Sequence, residues 1–390
     1  MVLPLAPLFQ ESVEQVRLRE ETALEELLER RQRRVVLFGA GTLGRSALHL
    51  LDELGVKALA FSDNNPAVWG NRIENIPILS PEEAASLYRD TALFLVTIWN
   101  DNHWFKETHA KLTGLGCKDI SGYAPLFWKS QNRFMQLLLL NEPPHRLYMD
   151  SGSVLLAEGL WADDISLQIY RANIRFRALG DARDLPGPPE VNTYFPTDLF
   201  NLCGLDSLLD CGAYDGDTIR QLLACGDLFT GNIHAIEADG VSFARLQEFV
   251  AHLRGSAGNR IRLYKCAVGL ERGFVRFESN GALTSKASET GSLVETISID
   301  ELFADVPLAF IKMDIEGAEY DGLRGATKVI QRDHPILAIC VYHTQSDIWR
   351  IPLLVHEMVP NHRLYLRAYE GDGFQTVMYA IPPERVRGSL

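Results

Sequence analysis

The chain has 390 residues, 46% of them hydrophobic and 23% charged, which is enough apolar material for two or three ordinary domains and too much for a disordered chain. A formal net charge of −13 excludes sequence-independent binding to a phosphate backbone and disfavours an anionic membrane surface, so neither nucleic acid nor membrane is expected as a partner. No run reaches the roughly 20 apolar residues of a spanning helix, the N-terminus lacks the basic region of a signal peptide, and six cysteines without a Cys-x-x-Cys pattern read as reduced thiols; a cytoplasmic chain is expected.

Residues 1–33 read as an N-terminal helix rich in Glu and Arg, with Leu18, Leu24, Leu27 and Leu28 at near-helical spacing. Such a helix packs on a neighbouring domain or on a second subunit, so a homo-oligomer stays open. Residues 34–128 read as a first Rossmann-like module. A buried strand runs into Gly39-Ala-Gly41-Thr-Leu-Gly44, a helix follows to about Leu54, and a second strand closes near Asp63. Strand, glycines, helix, strand and acid are the context of the dinucleotide fingerprint. Three readings stay open for Gly39, Gly41, Gly44 and Asp63: NAD for redox work, another nucleotide such as a sugar nucleotide, or a docking domain that kept the turn and lost the ligand. A strand over 93–98 precedes Trp99, Asn102, His103 and Trp104, and a helix is predicted over 101–115. Those side chains suit stacking on a sugar or base, and equally suit covering an interdomain surface.

Residues 129–195 read as a helical connection, with helices over 133–140 and 160–179 and a proline-rich loop at 186–189. Residues 196–390 form the module with the most chemistry. A short apolar strand ends in Asp210, and Gly212, Ala213, Tyr214 and Gly216 make a turn into a helix near Thr218. The Asp-x-Gly-x-x-x-Gly spacing differs from the dinucleotide fingerprint; read blandly, it is a turn that needs small residues. A second strand closes on Glu237, placed to accept from two ribose hydroxyls. A third leads to Ala267, a fourth ends on Asp314, and a fifth on His343. In an open α/β sheet ligands sit outside the carboxyl ends of the strands. Residues 278–291 read as a polar loop that covers a substrate or simply loops, and 364–369 with 376–381 as a closing antiparallel pair.

The runs Asp210-Cys-Gly-Ala-Tyr-Asp-Gly-Asp-Thr218, Ile311-Lys-Met-Asp-Ile-Glu-Gly-Ala-Glu319 and Ile339-Cys-Val-Tyr-His343 with Asp347-Ile-Trp349 resemble the FkbM-type methyltransferases over roughly residues 190–382. The strand, glycine and helix pattern reads as an α/β chain of two doubly wound Rossmann-like modules, and the resemblance concerns the second. The C-terminal one would be a class I methyltransferase sheet of seven strands with an antiparallel closing strand. The resemblance implies S-adenosylmethionine as cofactor and a hydroxylated, carbohydrate-like acceptor. Asp210, Gly212, Ala213, Tyr214, Gly216, Glu237 and Ala267 are then expected to shape the cofactor site.

An alcohol is a weak nucleophile at neutral pH and gains from a base. His343 or Asp314 is the expected base, the other orienting the hydroxyl, with Glu316 beside them. The blander readings are a structural His343 and a helix-capping pair, Glu316 and Glu319. No run of dedicated metal ligands is visible, so no metal is expected; a divalent cation on Asp314, Glu316 and Asp347 is the minor alternative. Against the methyltransferase stand an NAD-dependent oxidoreductase or epimerase built on the first module, and a non-catalytic nucleotide-binding scaffold.

Overall fold

Val35–Phe38 and Leu93–Val96 are four-residue runs of aliphatic and aromatic side chains, all buried. Strands of that kind, apolar on both faces, form the centre of a parallel sheet with helices on either side. In the computed structural model, which describes residues 2–100, 103–130, 140, 142–187, 193–253, 258–278, 286–287 and 291–387, they are the middle of the first of two large sheets. Its strands are β1 (Val35–Phe38), β2 (Ala58–Ser62), β3 (Arg72–Ile73), β4 (Ile76–Leu79), β5 (Leu93–Val96) and β6 (Ile120–Ser121), in spatial order β3-β4-β2-β1-β5-β6. All neighbours are parallel except the hairpin β3–β4, a feature not anticipated from the sequence.

The second half contributes β7 (Ser207–Cys211), β8 (Asn232–Ile236), β9 (Ile261–Tyr264), β10 (Ala267–Val268), β11 (Gly273–Glu278), β12 (Lys286–Ala287), β13 (Ser292–Ile297), β14 (Phe310–Met313), β15 (Ile336–Cys340), β16 (Arg363–Ala368) and β17 (Thr376–Ile381). Seven of these make the sheet β16-β17-β15-β14-β7-β8-β9. β17 runs antiparallel to both β15 and β16, the closing strand expected for this class. The strands β10–β13 form a separate four-stranded sheet.

Both large sheets reverse their winding at the first strand of the module. β1 lies between β2 and β5, and β7 lies between β8 and β14. A crevice opens above the carboxyl end of a strand at such a switch point. Each glycine turn is packed there in the same way. A Cβ on Gly39 would lie 2.8 Å from the Thr97 carbonyl oxygen beyond β5, and one on Gly212 would lie 1.8 Å from the Asp314 oxygen beyond β14.

The helix of the N-terminal region spans Val13–Glu29 and packs within the chain. Leu24, Leu27 and Leu28 join the core of the first sheet and Val16 that of the second, while Leu18 is exposed. A separate helix, Ser151–Glu158, precedes the predicted 160–179 helix, which spans Asp164–Leu179. Ala172 and Phe176 pack into the first core and Ile169, Tyr170 and Ile174 into the second, so this helix joins the modules; Ile165 points outward. The turn between β16 and β17 reaches from the second sheet to the first module. Its Asp372, Gly373 and Gln375 have φ of 57°, 85° and 44°, and a Cβ on Gly371 would lie 1.9 Å from the His103 carbonyl oxygen. The Tyr123 hydroxyl donates to Asp372 at 3.0 Å. Asn102, most of the predicted 133–140 helix, Pro188 and Pro189, and most of the 278–291 loop lie outside the described residues. No helix among the described residues is long and apolar enough to cross a membrane.

Candidate active site

A cavity of about 590 Å³ opens above β7, β8 and β14. Gly212, Tyr214, Glu237, Ala267, Asp314 and Glu316 are on its wall, as are Asp217, Asp239, Glu271, Arg272, Lys312 and Asp321. Seven carboxylates therefore meet two cations. Low-dielectric walls lined by one sign of charge favour a ligand of the other sign.

Tyr214 and Glu316 reach this wall with φ of 48° and 58°. Side chains rarely adopt that region, and such strain concentrates at ligand sites. Glu237 is buried, and its carboxylate is held by two backbone donors. The Tyr214 N–H donates to it at 2.8 Å and the Asp239 N–H at 2.6 Å, which ties the second strand end to the glycine turn. Burial raises its pKa, with those two donors opposing. Asp239 in turn accepts from the Val241 and Ser242 amides at the start of helix Gly240–His252.

Three of the expected cofactor residues stand behind the wall rather than on it. Ala213 is fully buried in the core beneath the turn. Gly216 has φ of 93° and packs against Phe249, where a Cβ would lie 2.6 Å from the ring. Asp210 is fully buried and pairs with Lys312 at 3.0 Å. Burial works against the Lys312 charge, yet the Asp210 and Asp314 carboxylates outweigh it and raise the lysine above its ordinary value. The ammonium also donates to the Gly212 carbonyl at 2.7 Å, so this pair braces the glycine turn from below. Lys312 was a legible signal, being a lone charge inside Phe-Ile-Lys-Met, but its role was not.

Asp314 closes β14 on the cavity wall. The Tyr194 hydroxyl donates to one of its oxygens at 2.8 Å and the Tyr342 hydroxyl to the other at 3.4 Å. Burial acts to raise its pKa, but Lys312, His343 and the Tyr194 hydrogen bond together hold the carboxylate below its usual value, so it is ionised at neutral pH. His343 lies deeper, 5% exposed and off the cavity wall. Its Nε2 is 3.3 Å from Asp314 and 3.8 Å from Glu316, and its Nδ1 is 2.9 Å from Glu319. These contacts are ionic rather than well-aligned hydrogen bonds. Burial acts to lower the His343 pKa, and the three carboxylates overcome it, raising it to about 10. His343 is thus an imidazolium at neutral pH and carries no free lone pair for a proton. Glu319 also accepts from the Ile315 and Gly317 amides at 2.7 and 3.1 Å, so it caps the turn and faces the histidine at once.

The glycines and acid of the first module line a second cavity. Gly39, Gly41 and Asp63 are on its wall with Trp99 and His103, and Gly44 lies behind, its absent Cβ 2.0 Å from the Gly39 oxygen. Trp99 touches both the cavity and the neighbouring module. It lines this cavity and packs edge-on against Phe374 of the β16–β17 turn, with centroids 5.5 Å apart.

Residues 210–372 match the family model described as the Methyltransferase FkbM domain. No curated protein matches the sequence. Among solved structures, methyltransferase FkbM from Methylobacillus flagellatus KT overlays with a TM-score of 0.72 at 20% identity, covering 95% of this chain and 99% of that one. That likeness extends the shared fold over both modules. A Rex-family repressor, RSP, overlays at 0.22 with 20% identity, covering 26% of this chain and 48% of its own. A caffeoyl-CoA O-methyltransferase homologue from Staphylococcus aureus overlays at 0.31 with 10% identity, covering 46% and 77%. Neither of these two overlays is close enough to bear on the chemistry. The glycine turn after β7 and the acid closing β14 both fall inside the matched segment, and the C-terminal module of this chain is a methyltransferase FkbM domain.

Proposed function

We propose that the chain transfers a methyl group from S-adenosylmethionine to a hydroxyl of a sugar-like or secondary-metabolite-like acceptor. The observation that carries this reading is the charge of the cavity above β7. Helix Asp217–Ala224, which starts there, has an acid in its first turn, and a phosphate would be repelled by it. A ligand with a sulfonium and an ammonium group suits seven carboxylates. Glu237 would hold the ribose, Ala267 would lie beside the adenine, and Gly212 and Tyr214 would border the methionine end. When bound, the cofactor supplies an electrophilic methyl carbon.

The chain's own residues then do the rest. Asp314, ionised and on the wall, accepts a hydrogen bond from the acceptor hydroxyl and takes its proton as the new bond forms. His343, as an imidazolium, keeps Asp314 ionised and in place. Tyr194 and Tyr342 fix both oxygens of that carboxylate, which limits its rotation.

The test is a thermal-shift titration of the full chain with S-adenosylhomocysteine, followed by transfer of a labelled methyl group to a panel of polyhydroxylated acceptors. A ligand at 100 times its Kd stabilises the native state by about 2.7 kcal/mol. A shift with label transfer supports the reading, and no shift at millimolar ligand rejects it.

A second reading of the same cluster rests on donor atoms of Asp314, Glu319 and His343 lying within 4.8 Å of one another. That spacing suits a divalent cation in place of the imidazolium proton. Turnover abolished by EDTA and restored by Mg²⁺ would favour the cation; turnover unchanged by EDTA favours the imidazolium.

A further inference from the structure

We propose that the first module binds a nucleoside diphosphate group, its phosphates over Gly41 at the start of helix Thr42–Glu53 and its ribose on Asp63. The cavity above β1 has a volume of about 480 Å³. Its three glycines divide into two kinds. Gly39, with φ of 121°, and Gly44 lack side chains because the protein leaves no room, the nearest atoms to an added Cβ being 2.7 and 2.0 Å away. Gly41 has an ordinary φ of −79° and nothing within 4 Å of an added Cβ. Packing therefore does not require glycine at position 41. Its bareness clears the approach to the free N–H groups of the helix, which make an anion site when no side chain caps them.

That helix carries neither a side-chain cap nor an acid in its first turn. The contrast with the other module is chemical. Helix Asp217–Ala224 starts at the equivalent place with Asp217, which suits a cationic ligand, whereas helix Thr42–Glu53 offers its positive end uncompensated.

Asp63 is fixed as the ribose acceptor would need to be. It accepts from the Ala40 amide at 2.8 Å and the Asn65 amide at 2.8 Å, one on each oxygen, and each oxygen keeps a lone pair for a hydroxyl. An independent observation comes from His103 on the same wall. It is 8% exposed, its Nε2 meets the Thr108 hydroxyl at 2.9 Å, and its Nδ1 has no hydrogen-bond partner. The nearest acid, Asp372, is 3.9 Å from that nitrogen, beyond hydrogen-bond reach. Burial lowers its pKa to about 4, so the ring is neutral. A buried polar nitrogen left unpaired is costly. Beside it, Trp99 lines the same cavity.

A ribose on a pyrophosphate occurs in dinucleotides and in nucleotide sugars, and the experiment separates them. The full chain is saturated with S-adenosylhomocysteine, so that adenine-containing probes are kept from the other cavity. It is then titrated calorimetrically with UDP, ADP, UDP-glucose and NAD⁺. Binding of UDP or ADP is expected, with UDP-glucose tighter than UDP if the source is a nucleotide sugar, or NAD⁺ tighter than ADP if it is a dinucleotide. The variant Thr42→Glu places a carboxylate in the first turn at an exposed position, where it favours the helix. It should keep its melting temperature and its S-adenosylhomocysteine affinity while losing at least tenfold in affinity for the bound probe. No binding of any of the four probes, or equal binding by Thr42→Glu, overturns the proposal. Because S-adenosylhomocysteine binding is read separately, failure here leaves the methyltransferase assignment standing, and the reverse.

Discussion

Glu319 Oε1 lies 2.9 Å from Nδ1 of His343, with both side chains buried. A carboxylate there keeps the imidazole charged at a depth where burial alone would neutralise it. The raised pKa of His343 makes its charge a stabilising contribution. That contribution is complete below the unfolded value near 6.5 and is lost as pH rises through about 10. Urea unfolding at pH 6, 8 and 10 should show the margin of the native chain over His343→Gln shrinking with pH; a constant margin rejects the charged assignment.

Asp314→Asn removes the ionised oxygen from the wall; its amide oxygen accepts from only one of Tyr194 and Tyr342, and its NH2 faces the other hydroxyl as a donor. Loss of a positioned base typically costs about 10²- to 10⁴-fold. The variant should lose that much in kcat while its S-adenosylhomocysteine affinity holds. A fall confined to KM would mean that Asp314 only binds the acceptor.

The buried pair Asp210–Lys312 predicts an asymmetry. Lys312→Met strands a carboxylate in the core and should destabilise the chain by about 3–5 kcal/mol, whereas the double variant Asp210→Asn, Lys312→Met should recover much of it. Denaturant midpoints of the three proteins check this. Equal losses in single and double variants would show that the pair acts through something other than its charges.

Asp372 sits between the modules, and burial lifts its pKa from 3.8 to about 7. A carboxyl whose folded value is raised contributes stability that is present below about pH 4 and lost as pH climbs through 7. Asp372→Asn stays neutral throughout and still accepts from Tyr123. Its melting temperature should therefore gain on that of the native chain between pH 5 and 8. Parallel curves would mean that Asp372 is ionised when folded.

Two glycines from the two turns should respond oppositely to alanine. Gly212→Ala puts a methyl group 1.8 Å from the Asp314 carbonyl at φ of 80°, and loss of the fold or at least about 3 kcal/mol is expected. Gly41→Ala meets nothing and should stay within about 1 kcal/mol of the native chain. Thermal melts of the two variants decide it.

The paired modules were legible because buried parallel strands announce themselves as short apolar runs that end in glycine or acid. Cys211 and Met313 end such runs, and the residues just past them, Gly212 and Asp314, meet at the switch point. What surrounds Asp314 was not legible. Tyr194 comes from the connection, 120 residues away, and its contact depends on tertiary packing that no local pattern encodes. Glu316 and Glu319 look interchangeable in Asp-Ile-Glu-Gly-Ala-Glu. Glu316, with φ of 58°, lines the cavity and stays 3.8 Å from the histidine, whereas Glu319 is buried 2.9 Å from its other nitrogen. The split among the glycines is likewise a matter of which atoms crowd each Cα, and spacing does not report it.

The turn between β16 and β17 belongs by sequence to the methyltransferase sheet, yet Phe374 is held between Trp99 of one module and Tyr342 of the other, with centroids 5.5 and 6.1 Å away. Tyr342 in turn touches Asp314. A fragment cut at the start of the second sheet would uncover Phe374, Tyr342 and the buried carboxyl of Asp372 together. The unit that buries these side chains is therefore larger than the second sheet, and any lengthening of the turn must be matched in both halves.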